Sequence, residues 1–192
     1  NLGALTHDAG GTVTFELPAN GRITTTATND ASGILGGWAT ISYGQVHQNL
    51  LVGLDLASVD GSGVIVPFTN WVVWDGTKTI RELSLETANA NIFIPSTSTG
   101  DVDVDVSHWD LIDPTIEDYN LGTITDINAL AHGRGNTGFG IRIGTNNTLR
   151  LGKYGVIMRT NQISTTTWSI AAFSTGTGGG TQGRARLTAG GP

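Results

Sequence analysis

The sequence predicts an all-β fold, and three observations carry that expectation. The composition is poor in charge and rich in turn formers: of 192 residues 14% are charged and 38% hydrophobic, and glycine occurs 28 times. Such a chain lacks the charge density of a disordered segment and keeps enough Val, Ile, Leu and aromatic residues to build a core. Apolar and polar residues alternate with a period of two in several places, which turns one face of an extended strand inward. Those runs are short and bounded by Gly, Asn, Asp or Pro, the residues that turn a chain between strands.

Taken in order, TVTFELP places Val13, Phe15 and Leu17 on one face and Thr12, Thr14 and Glu16 on the other. The stretch GILGGWATISYG (33–44) sets Gly36 and Gly37 against Trp38, and reads as a corner in which the indole lies over bare glycine backbone. In FTNWVVWDG, Trp71 and Trp74 stand three apart, on opposite faces of a strand or together on a helical turn. LSLETANANIF alone invites a test for helix, and Leu83 with Leu85 reads better there as strand. DVDVDVSHW sets Val102, Val104 and Val106 against Asp101, Asp103 and Asp105. GIRIGTNNTLRLGKYGVIM gives Ile141, Ile143, Leu149 and Leu151 inward, with Arg142 and Arg150 opposite. Ile80 and Leu83 of TIRELSL align with Ile127 and Leu130 of TDINALA at an offset of 47 residues (127 − 80), which suits two turns of a repeating coil.

Several function classes drop out. Net charge is −6 with only two lysines, Lys78 and Lys153, so no basic patch exists to neutralise phosphates and nucleic acid is not an expected partner. No apolar run is long enough for a membrane-spanning helix. His7, His47, His108 and His132 are scattered and cysteine is absent, so no zinc spacing occurs. No GxSxG elbow marks a hydrolase nucleophile. The glycine-rich stretches GNTGFG and TGTGGGTQG lack the strand, helix and lysine of a phosphate cradle and read as turns or surface loops. A thiol-free β-rich chain suits export. Asn1 is not an initiator Met, and the chain runs out in LTAGGP without a visible capping element, so residues 1–192 read as one domain or an excerpt of a longer one.

The run from Leu2 to Gly44 carries a family resemblance. Thr12 to Phe15, Ile23 to Thr26 and Ile34 to Ile41 (ILGGWATI) resemble, piece by piece, the passenger regions of autotransporter-like proteins with autotransporter-associated β-strand repeats. NNTLRLGKYGVIMR and LTAGGP are similar to further rungs of that family, and TDINALA resembles another without its final aromatic. Residues 45–78 and 95–122 match poorly; the latter segment reads as diverged or inserted. The resemblance implies a right-handed parallel β-helix displayed outside the cell after bacterial-type secretion, and it implies no catalytic residues. A β-sandwich of capsid-like type is the alternative fold.

Two constellations invite chemistry. Asp101, Asp103 and Asp105 share a strand face at spacings of about 6.5–7 Å, too wide for one cation without a further carbonyl or coil. They read as a calcium site completed from elsewhere, or as a solvated acidic row that discourages edge pairing. No other cofactor is expected. Trp71, Trp74 and Trp109 are the candidates for stacking on sugar rings, against the alternative of core packing. His108, Trp109, Asp110, Asp113, Glu117 and Asp118 follow the acidic row; Asp101 to Glu117 would form the groove of a polysaccharide-cleaving tailspike-like enzyme, and the alternative is an ordinary polar loop closed by Pro114. The expected function is a non-catalytic extracellular structural or adhesive solenoid, associating with its own kind into fibres or filaments and contacting glycans or cell surfaces.

Overall fold

A computed structural model describes residues 1–47, 50–95, 97, 102–105, 122–133, 140–144, 147–159, 169–173 and 185–190. The described chain is mostly strand. In order come β1 (Val13–Glu16), β2 (Ala39–His47), β3 (Leu50–Val59), β4 (Ile65–Pro67) and β5 (Val72–Val73), then the helix α1 (Ile80–Glu86). After it follow β6 (Asn91–Ile94), β7 (Val102–Asp103), β8 (Ile124–His132), β9 (Gly140–Gly144), β10 (Thr148–Arg159), β11 (Ser169–Phe173) and β12 (Arg186–Thr188).

Among the described residues three sheets form, and none closes on itself. The first runs β1-β2-β3-β4; β1 and β2 are parallel, with Val13 opposite Ala39 and Phe15 opposite Ile41, while β3 and β4 add antiparallel. The second, in the order β12-β10-β8-β6-β5, is parallel throughout. The third, β11-β9-β7, is parallel as well. From β6 to β12 the described strands alternate between the second and third sheets, and each return lands beside the strand it left. Among the described residues the antiparallel pairing that a β-sandwich needs throughout is limited to β2, β3 and β4 and the isolated bridge Thr24–Val64.

The core lies in layers between these sheets. Ile92, Ile94, Ile127, Leu130, Leu149 and Leu151 of the second sheet meet Val102, Ile141 and Ile143 of the third. The second sheet's other face, with Ala129 and Ala131, packs on Ile34, Leu56 and Phe68. Beyond the first sheet, Phe15, Leu35, Ala39, Ile41, Ala57 and Ile65 form a further cluster, bordered by Val13 and Leu17 as their alternation predicts. Each such Ile or Leu contributes about 1.5–3 kcal/mol by leaving water.

Two sequence expectations are corrected. Leu83 and Leu85 lie on α1, not on a strand. Thr79 caps that helix in a reciprocal box: its hydroxyl accepts the Glu82 N–H, and the Glu82 carboxylate accepts the Thr79 N–H at 2.6 Å. Ile80 and Leu83 face the core and Leu85 faces water, at 73% exposure, which a half-buried strand would not allow for a residue two from Leu83. The 47-residue alignment thus joins a helix to a strand, β8. The three-residue spacing in β8 has its own cause. Thr125 and Ile127 are buried on one phase and Leu130 on the other, because the strand changes face at Asn128.

The corner at Gly36 forms as the sequence suggests. Gly36 sits at φ +131, and a Cβ there would stand 2.7 Å from Trp38 Cδ1, so only glycine admits the indole. Ala39 N–H donates to Gly36 O at 3.0 Å, closing the turn from which β2 starts. The indole's outer face stacks on His7, with ring centroids 5.0 Å apart. Glycine beside tryptophan is here a folding device.

Candidate functional site

Of the polar groups that sequence reasoning put forward for chemistry, Asp103 sits on a line running from strand to strand. Asp103 of β7 stands in register with Arg142 of β9. The two make an ion pair at 2.9 Å, with side chains only 13% and 11% exposed. On the second sheet Asp126 of β8 and Arg150 of β10, in register and 24 residues apart in sequence, pair through the guanidinium Nε and Nη2, the latter at 2.8 Å. That fork raises the Arg150 pKa further above its ordinary value.

Asp105 follows β7 where the ladder bends away. Its Oδ1 accepts the Gly144 N–H at 2.8 Å, while Oδ2 is buried without a hydrogen bond among the described residues. Burial pushes its carboxyl pKa up, against the opposing pull of the Gly144 N–H, the Asn147 amide and the Arg81 charge. Asp101 lies outside the described residues. Of the expected calcium row, then, Asp103 already faces a guanidinium and Asp105 a backbone amide. A cation held by these two would have to displace Arg142 first. Among the described residues no three His, Asp or Glu side chains cluster in metal-holding geometry.

The tryptophans separate. Trp74 is 5% exposed, packs in the main core and donates its indole N–H to Lys78 O at 2.8 Å. It presents no face on which a sugar ring could stack without opening that core, which corrects its place among the glycan candidates. Trp71 is half-buried, donates to Phe68 O at 3.1 Å and packs edge-on against Phe68. The two do not form a joint platform. Trp109 and the acidic segment with His108, Asp110, Asp113, Glu117 and Asp118 lie outside the described residues.

One polar constellation was missed by sequence reasoning. Asn128 Nδ2 donates to Asn91 Oδ1 and to Ser32 Oγ, both at 2.8 Å, and Asn91 Nδ2 donates to Ser32 O at 3.0 Å. Ser32 is held in turn by Asp30, which accepts both its N–H and its hydroxyl. The neighbouring rung carries Gly152, where any Cβ would collide with Asn128, and there β10 takes its register shift. Asparagines 37 residues apart thus stack at the bend of adjacent strands and hook the loop before β2 onto the second sheet. The signal in sequence was Asn128, which interrupts the apolar pattern between Ile127 and Leu130 where its phase changes.

Among histidines, His132 is fully buried at the end of β8, and His7 covers Trp38. No helix of the described residues is long and apolar enough to cross a membrane. No protein-family model, no curated protein and no solved structure matches this chain.

Proposed function

We propose that this chain is a segment of a parallel β-solenoid that serves as a non-catalytic structural and adhesive element outside the cell. The observation that carries the reading is the alternation of the described strands β6 to β12 between two all-parallel sheets, each strand stacked on its predecessor. A chain that advances one rung per circuit accumulates stiffness along its stacking axis, since each rung contacts mainly its neighbours. The side-chain rows favour the same use: Asp103–Arg142, Asp126–Arg150, Asn91–Asn128 and Thr14–Thr40 all tie one rung to the next. Carboxylates committed in this way act as ties between rungs. Display outside the cell rests on the resemblance to autotransporter passengers, on the absence of cysteine and on a lysine-poor, threonine-rich composition.

Negative-stain electron microscopy of the native material, with the intact subunit mass measured alongside, tests the reading. Rods or filaments, or a subunit built of many such segments, are expected, and adhesion to cells or immobilised glycans is the next assay. Compact particles that cleave members of a polysaccharide panel would overturn it in favour of a glycan-cleaving enzyme.

A further inference from the structure

We infer that Asn20 is a self-modification site, at which the Asn20-Gly21 pair deamidates through a cyclic imide. It is the only Asn-Gly pair in the sequence. Both residues are exposed, in the turn between β1 and the isolated bridge Thr24–Val64. Neither the Asn20 amide nor the Gly21 N–H makes a hydrogen bond among the described residues. Glycine next in sequence matters because it has no Cβ to crowd the approach of its own nitrogen to the preceding side chain.

Four other asparagines are held by the fold. Asn29 is tied by its amide to Ser58 and Val59 and by its carbonyl to the Val59 N–H. Asn91 and Asn128 hold each other and Ser32. Asn147 is buried, and its carbonyl accepts the Thr123 N–H. Each of these is followed by a residue with a side chain, and each would have to break native hydrogen bonds before its amide carbon could be attacked. Asn20 has neither barrier.

The chemistry needs only water. The Gly21 main-chain nitrogen bonds to Asn20 Cγ, the Cγ–Nδ2 bond breaks, and ammonia leaves carrying the proton that Gly21 gives up. Water then opens the imide at either carbonyl, leaving aspartate or isoaspartate. The isoaspartate form lengthens the main chain by one atom, close to where Ile65 N–H binds Ile23 O at 2.9 Å. Either product puts a new carboxylate two residues from Arg22 and makes the net charge more negative.

The test is incubation of the folded chain at 37 °C in heavy-oxygen water over a pH series, followed by peptide mass mapping and charge-sensitive focusing. The expected result is an acidic species that accumulates faster as pH rises, with the heavy oxygen located at residue 20, and that is lost in Asn20→Gln. An unmodified residue 20 after acidic species have appeared elsewhere, or the same acidic species in Asn20→Gln, overturns the assignment. Because label is read on the native chain, the outcome does not depend on the variant folding.

Discussion

Replacing Gly36 by alanine tests the corner that launches β2. The substitution carries two separable costs. At φ +131 an L-residue sits in a sparsely allowed region, for a cost of about 1–3 kcal/mol. The added Cβ also falls 2.7 Å from Trp38 Cδ1, so the indole must move off its seat and surrender its stacked contact with His7, a further loss of about 0.5–1.5 kcal/mol. The sum is about 1.5–4.5 kcal/mol. With a urea dependence of about 2 kcal/mol per molar, the unfolding midpoint should fall by about 1–2 M. Gly10→Ala supplies the control: Gly10 also has positive φ, +83, but a Cβ there meets nothing within 4 Å. It should therefore cost only the backbone share, about 1–2 kcal/mol. Urea titrations followed by tryptophan fluorescence measure both variants. If Gly36→Ala unfolds no earlier than Gly10→Ala, the indole does not rest on that glycine and the reasoning fails.

Further outcomes follow from single groups. Thr125 is 1% exposed and its hydroxyl has no hydrogen-bond partner among the described residues, so Thr125→Val should stabilise by about 1 kcal/mol in the same titration. Arg142→Met removes the guanidinium from the nearly buried Asp103 carboxylate and should cost about 3–5 kcal/mol at neutral pH, while the double variant with Asp103→Leu recovers most of that loss. Asp105 has a folded pKa above its unfolded value, so the folded state binds the proton more tightly. Its contribution to stability is then greatest below the unfolded pKa and is lost as pH rises through the raised folded value. Thermal melts from acid to neutral pH should show this decline in the wild type, and Asp105→Asn should remove that component; an unchanged pH profile contradicts it.

How far the fold was legible depended on whether a residue's partner was local. Val13, Phe15, Ile141 and Ile143 announced their strands because period-two alternation is a property of the segment itself, and all four lie in or against the cores they were assigned to. The Gly36–Trp38 corner was legible for the same reason. Helix α1 was readable too, since Thr79 and Glu82 carry the capping box, but Leu83 and Leu85 invited a strand reading that the exposure of Leu85 contradicts. Ile127 and Leu130 share the three-residue spacing of Ile80 and Leu83; the bend at Asn128 produces it in a strand, while the Thr79–Glu82 box marks the other pair as helix. The antiparallel β2–β3 pair has no short Asn-Gly or Asp-Gly turn to advertise it. At the candidate site, Asp103 looked like a metal ligand because Arg142, 39 residues on, becomes its neighbour only when the strands stack. Trp71 and Trp74 could not be told apart by spacing, since their difference lies in which layer covers each.

Disulfide trapping of adjacent rungs tests the stacked parallel arrangement most directly. The chain has no native cysteine, so introduced pairs report without interference. Asp126 and Arg150 are register partners, as are Arg150 and Thr188, and neighbouring parallel strands bring such positions within the roughly 4.4–6.8 Å Cα separation that a disulfide spans. Asp126→Cys/Arg150→Cys and Arg150→Cys/Thr188→Cys should each close an intramolecular bond under mild oxidation, visible as a mobility shift that reductant reverses. If the thiols react with a small alkylating reagent yet neither pair closes, β8, β10 and β12 are not successive rungs, and the solenoid account is contradicted.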